Sequence, residues 1–151
     1  MVRVLVWGVL TVSGLVACTA SKPEPIQLGV DACTSCKMTL TDARFGGEIL
    51  TSKGKAFKFD SLECLKSYLK KNPESGVKIF VVDSTRSGAL IPAEKAIFVI
   101  DPTLRSPMGR GVIASESVES LSSFFAAQPI PSKRYTWSEL LLELDEFSAA
   151  H

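Results

Sequence analysis

The sequence predicts an α+β fold: two duplicated β-β-α-β modules of short antiparallel strands, closed by a C-terminal helix. Three observations predict it. Short runs rich in β-branched and aromatic residues are punctuated by Gly, Pro, Ser and Asp, and they are interspersed with helical patterns. DSLECLKSYL (60–69) can be laid over ESVESLSSFF (116–125), so that Ser61 meets Ser117, Leu62 meets Val118, Glu63 meets Glu119, Leu65 meets Leu121 and Tyr68 meets Phe124. With 46% hydrophobic and 22% charged residues, the chain has the apolar content to bury a core.

Each element follows from its residues. GGEILT (46–51) and KAFKF (55–59) flank SKG and read as a hairpin. In the next stretch Asp60 is expected to cap a helix, with Glu63 completing a capping box. Leu62, Leu65 and Leu69 would form its buried stripe, and Pro73 and Gly76 stop it. VKIFVVD (77–83) is a β-branched strand that ends the first module. KAIFVID (95–101) opens the second; after the turn-rich PTLRSPMGRG come a short strand near 111–114 and a helix through SESVESLSSFFAA. Phe57 falls opposite Ile113 in the same alignment. The match favours a duplication, although two amphipathic helices share some apolar spacing by chance. YTWSELLLELDEF (135–147) is a third helix, with Thr136 and Glu139 as its capping box and with Trp137, Leu140, Leu141, Leu144 and Phe147 packing on the domain.

The N-terminus sets the compartment. MVRVLVWGVLTVSGLVAC has an early Arg3, an apolar run and then small residues, which is the pattern of a secretory signal peptide, short for a membrane span. Leu15-Val16-Ala17-Cys18 resembles the bacterial lipobox, in which cleavage leaves a lipid-carrying cysteine. The alternative is an ordinary signal peptide, or a retained anchor, with an incidental Cys18. The expected organisation is a signal peptide over 1–17, a flexible tether over 18–30, the duplicated domain over 31–134 and the C-terminal helix over 135–151.

Removing Arg3 from 17 basic residues leaves 16 against 16 acidic ones, with no basic stripe, so nucleic acid is not expected as a partner. The same cut leaves Cys33, Cys36 and Cys64 as unmodified cysteines, Met38 and Met108 as methionines, and His151 as the only histidine.

Cys33-Thr-Ser-Cys36-Lys-Met38 concentrates sulfur in one turn. A structural zinc site wants four ligands, and only Cys64 and His151 remain to complete one. Haem attachment needs histidine where Lys37 stands. A thioredoxin-like redox pair normally opens a helix after a strand, whereas this pair follows a Pro-containing tether. A plain Cys33–Cys36 disulfide would close a small loop and gain little. Thiolate with thioether is the ligand set that suits Cu(I). Met38 lies in a polar segment and Met108 in a loop, so neither sits on a helix's apolar stripe, as a core methionine often would. Cys64, beside Leu65, reads as a small buried thiol of the helix core. Asp60, Asp83 and Asp101 read as capping and turn residues. Ser115 has no histidine partner and GRG is too short to cradle a phosphate, so no enzyme is expected.

At CTSCKM, FKFDSLECLKSYL, AIFVID and SPMGRGVIASES, most of residues 31–126, the chain resembles the NosL family, copper-binding lipoproteins that accompany nitrous oxide reductase. The resemblance implies two homologous β-β-α-β modules and a Cu(I) site drawing on Cys33, Cys36, Met38 and Met108. It implies a protein held through lipid on Cys18 to a membrane facing the periplasm or cell exterior. It also implies a copper-accepting enzyme such as nitrous oxide reductase and a donor at the membrane. Lys37 stands where the family commonly has glycine, and no histidine lies near the motif or after Met108. Three readings stay open from the sequence. One is a Cu(I) carrier, with or without a homodimer to complete the site. The second is a CxxC thiol–disulfide oxidoreductase assisting cuproprotein assembly. The third is a lipid-anchored interaction module without metal.

Overall fold

A computed structural model describes residues 22–126 and 128–149; the signal peptide, Cys18 and His151 lie outside the described residues. The strands are β1 (Gly47–Leu50), β2 (Ala56–Phe59), β3 (Lys78–Val82), β4 (Leu90–Pro92), β5 (Ile97–Ile100) and β6 (Val112–Ser115). The helices are α1 (Leu62–Lys71), α2 (Val118–Phe124) and α3 (Trp137–Ala149), with a 3-10 turn at Ala93–Lys95. Four strands form one antiparallel sheet in the order β2-β1-β3-β4, and β5 pairs with β6 in a second. The fold is therefore α+β, with small antiparallel sheets and three helices, as the sequence indicates.

The internal repeat is visible in the pairing. Gly47 faces Phe59 in the β1–β2 hairpin, and Ile97 faces Ser115 in the β5–β6 hairpin. Each hairpin is followed, after one acidic residue, by a serine N-cap: Ser61 accepts the amide of Cys64, and Ser117 accepts that of Ser120. In the first module β3 returns to pair with β1. In the second, the return is reduced to one residue, where Phe98 and Tyr135 exchange two backbone hydrogen bonds of 3.0 and 2.9 Å.

Two details differ from expectation. Ser61, not Asp60, caps α1: the helix starts at Leu62, so Ser61 holds the extended cap position and accepts the Cys64 amide, while Asp60 accepts the Cys36 thiol and the expected Asp60–Glu63 capping box does not form. β4 is an additional edge strand, and Pro92 is tolerated in it because an edge needs no further ladder donor. The capping box of α3 forms as written: Thr136 donates its amide and hydroxyl to Glu139, each at 2.7 Å.

Phe59, Leu65, Val81, Phe98 and Leu140 lie in one core and Val99, Ile113 and Leu121 in a second beneath α2. Leu140 and Leu144 of α3 are buried against the first, and Trp137 stacks obliquely on Phe98 with centroids 5.7 Å apart. Full burial of each leucine contributes about 2 kcal/mol. Phe147 lies among the side chains that are not described.

The chain entering the first module is tied to it well before residue 31. Glu24 donates its amide to the buried Glu48 carboxylate, Ile26 packs on the core, and Lys58 reaches both the Pro25 carbonyl and Asp31. These bonds bring 32–39 over the end of β2.

Candidate metal centre

Residues 32–39 make a closed loop. Ala32 and Thr39 pair across its neck, Cys33 donates its amide to the Met38 carbonyl, and Lys37 donates its amide to the Cys33 carbonyl. Thr34 fastens the loop to the end of β2 through the Lys58 carbonyl at 2.8 Å. Closing so tight a turn puts Lys37 in the left-handed region, at φ 67°. Glycine adopts this conformation without steric cost, whereas lysine carries it as strain.

The loop delivers Cys33 and Cys36 to the first turn of α1. There they meet two residues that the sequence reading gave other jobs. The sulfurs of Cys33, Cys36 and Cys64 and a carboxylate oxygen of Asp60 all lie within 4.8 Å of one another. Cys33, Asp60 and Cys64 are buried, and Cys36 is half-buried at the mouth. Cys36 donates its thiol to Asp60 Oδ2 at 3.0 Å, while Asp60 Oδ1 is buried with no hydrogen-bond partner. A buried carboxylate oxygen without a donor is costly, so the pocket is one positive group short.

Two of the thiols, Cys36 and Cys64, hold their protons at neutral pH. Burial, reinforced by the Asp60 hydrogen bond, pushes Cys36 up to about 11. Burial also pushes Cys64 up. A soft cation entering here would have to displace protons, and it would gain the sulfurs, the carboxylate and relief of Asp60 together.

Cys64 is a buried helix thiol, as its place beside Leu65 suggests, but its sulfur also completes the cluster. The signal that would have found it is the spacing Asp60-Ser61-x-x-Cys64. A residue before the N-cap and the third residue after it both lie on the first turn, where the loop arrives. Asp83 and Asp101, in contrast, do the turn work their positions suggest, each accepting the amide two residues on.

The two methionines stand at the surface, Met38 51% and Met108 48% exposed. Met108 lies in the 101–111 loop, whose neck is set by Gly111: at φ 64° it packs against the Asp101 carbonyl where a Cβ would clash. Burial pushes the carboxyl of Glu63, the neighbour of Cys64, up, and the Arg110 amide of this loop opposes that shift.

The NosL family model matches residues 25–129. Among solved structures, the crystal structure of the copper chaperone NosL from Shewanella denitrificans has this fold, with a TM-score of 0.64 and 21% identity, covering 80% of this chain and 96% of that one. No curated protein sequence matches the chain.

Proposed function

The chain belongs to the NosL family, and from that premise we propose that it is a Cu(I) carrier anchored by lipid to a membrane facing the periplasm or cell exterior, delivering copper to a cuproenzyme, nitrous oxide reductase first among the candidates. The observation that carries this reading is the meeting of three thiols and one under-bonded carboxylate in a single pocket. Three sulfurs select a soft ion. Cys33 and Cys36 bind as thiolates, Cys64 is the third sulfur, and the Asp60 carboxylate is the one oxygen donor among them. The ligand set is complete within one chain. Met38, two residues from Cys36 and exposed, is the ligand an incoming ion or a partner meets first, and Met108 offers a second surface thioether on the 101–111 loop.

Transfer follows from this layering. Cu(I) accepts low coordination numbers, so an acceptor's ligand enters as a surface methionine leaves, and the buried thiols then release in turn. Each released thiolate regains a proton, which the buried surroundings of Cys36 and Cys64 favour. The same pKa shifts weigh against the thiol–disulfide oxidoreductase reading. An attacking thiol is best poised near ambient pH, and Cys36, the most accessible of the three, holds its proton to about 11.

The test is anaerobic loading of the full chain with Cu(I), with competition by a chromophoric chelator. Cys33→Ser/Cys36→Ser is expected to lose high-affinity binding. Binding as tight as in the parent sinks the assignment.

A further inference from the structure

The hairpin registers and helix caps extend the repeat to the loops that precede each hairpin. Thr34 bonds the Lys58 carbonyl, one residue before the end of β2; Ser84 bonds the Ala114 carbonyl, one residue before the end of β6, both at 2.8 Å. This anchor fixes the correspondence: Cys33 answers to Asp83 and Cys36 to Arg86. The caps fix the rest, with Asp60 answering to Glu116 and Cys64 to Ser120.

The two sets make the same contacts with different chemistry. Cys36 bonds Asp60 at 3.0 Å, and Arg86 Nη2 bonds Glu116 at 2.7 Å. Cys33 is fully buried, and so is Asp83, which receives Arg86 Nε at 2.9 Å. At the second position a guanidinium joins two carboxylates, buried Asp83 below and exposed Glu116 above, and Arg86 itself stands half in solvent. The first holds a carboxylate oxygen with no donor.

We propose that residues 83–88 are the second module's copy of the metal loop, with Arg86 standing in it as a built-in cation where the first module takes a metal ion. The chain then carries two versions of one cation site, one open to a soft metal and one occupied at its surface end by Arg86. This rests on reading the first pocket as a metal site. It accounts for a chain with two modules and a single sulfur cluster among its described residues. It also makes the second pocket a dormant soft-metal site, closed by the identity of three side chains.

The test restores the sulfur set. Asp83→Cys/Arg86→Cys/Ser120→Cys in the full chain, titrated anaerobically with Cu(I) against a chelator, is expected to bind one more ion per chain than the parent. The gain should persist when Cys33→Ser/Cys36→Ser is added. Without Ser120→Cys, the new site is expected to bind at least tenfold more weakly. A cooperatively folded triple variant with no added copper overturns the proposal, as does a double variant that binds as tightly as the triple. A second arm uses Arg86→Gln, which removes only the guanidinium. Amide exchange at Ser84, Arg86 and Ala89 is expected to accelerate at least tenfold while Thr34 and Lys37 keep their rates, and unchanged exchange at all three overturns the proposal. Failure of the parent itself to bind Cu(I) is a different result, one that refutes the first site instead.

Discussion

Cys64 and Lys37 show how single residues shape the site. Cys64→Ser keeps a small side chain in place but removes a soft donor. It is expected to weaken Cu(I) binding at least tenfold, about 1.4 kcal/mol, in the chelator competition, with the helix content unchanged; an unaltered affinity would return Cys64 to a packing role. Lys37 is a separate matter, one of backbone. Left-handed geometry costs a lysine about 1–2 kcal/mol, and glycine's extra freedom in the unfolded chain takes back about 0.5–1 kcal/mol. Lys37→Gly should therefore raise the urea midpoint modestly while Cu(I) affinity stays within about twofold, and a lower midpoint contradicts the strain argument. Met38 and Met108 were conspicuous in the sequence as methionines in polar loops, and the structure places both at the surface. Asp60 and Cys64 were not, because each also satisfies an ordinary helix pattern. Only the arrival of the Cys33–Cys36 loop at the same helix turn gives them a second role.

At the level of elements, the paired helix caps separate fold from function. Ser61→Ala and Ser117→Ala each remove one N-cap and should each cost about 1 kcal/mol in denaturant unfolding. Only Ser61→Ala should also weaken Cu(I) binding, because it alone loosens the turn that holds Cys64. Equal effects on copper would deny that the first module alone carries the site. The β1–β2 hairpin holds a different liability in Glu48, which is fully buried and faces Lys58. Burial raises its pKa above the ordinary 4.5 despite the Glu24 amide. The charged form is thus disfavoured in the folded state; the penalty is absent below about the ordinary value and complete above the raised one. Glu48→Gln is expected to be more stable than the parent at pH 7, by roughly 1 kcal/mol, and to lose that advantage as the pH is taken below 4.5 in urea melts. An advantage independent of pH would mean that packing, not charge, is responsible.

The molecule as a whole is an old pattern used twice and specialised once. Its hairpins, helices and their order could be read from the sequence because alternation and capping are local. The duplication was visible as Ser61 over Ser117 and Leu65 over Leu121. The return strand of the second module had shrunk to Tyr135, and β4 was too short and too proline-marked to stand out. The attachment of residues 24–31 to the domain was hidden as well, since it depends on Lys58 and Glu48 from strands far along the chain. Anchoring belongs to this scale too: Cys18→Ser is expected to move the protein from the membrane to the soluble fraction after export, and an unchanged distribution would remove the lipid from the account. Copper K-edge X-ray absorption on the Cu(I)-loaded chain tests the central claim most directly. A shell dominated by sulfur, which loses one sulfur in Cys64→Ser, is the expected result; a shell of nitrogen and oxygen, indifferent to that substitution, would contradict it.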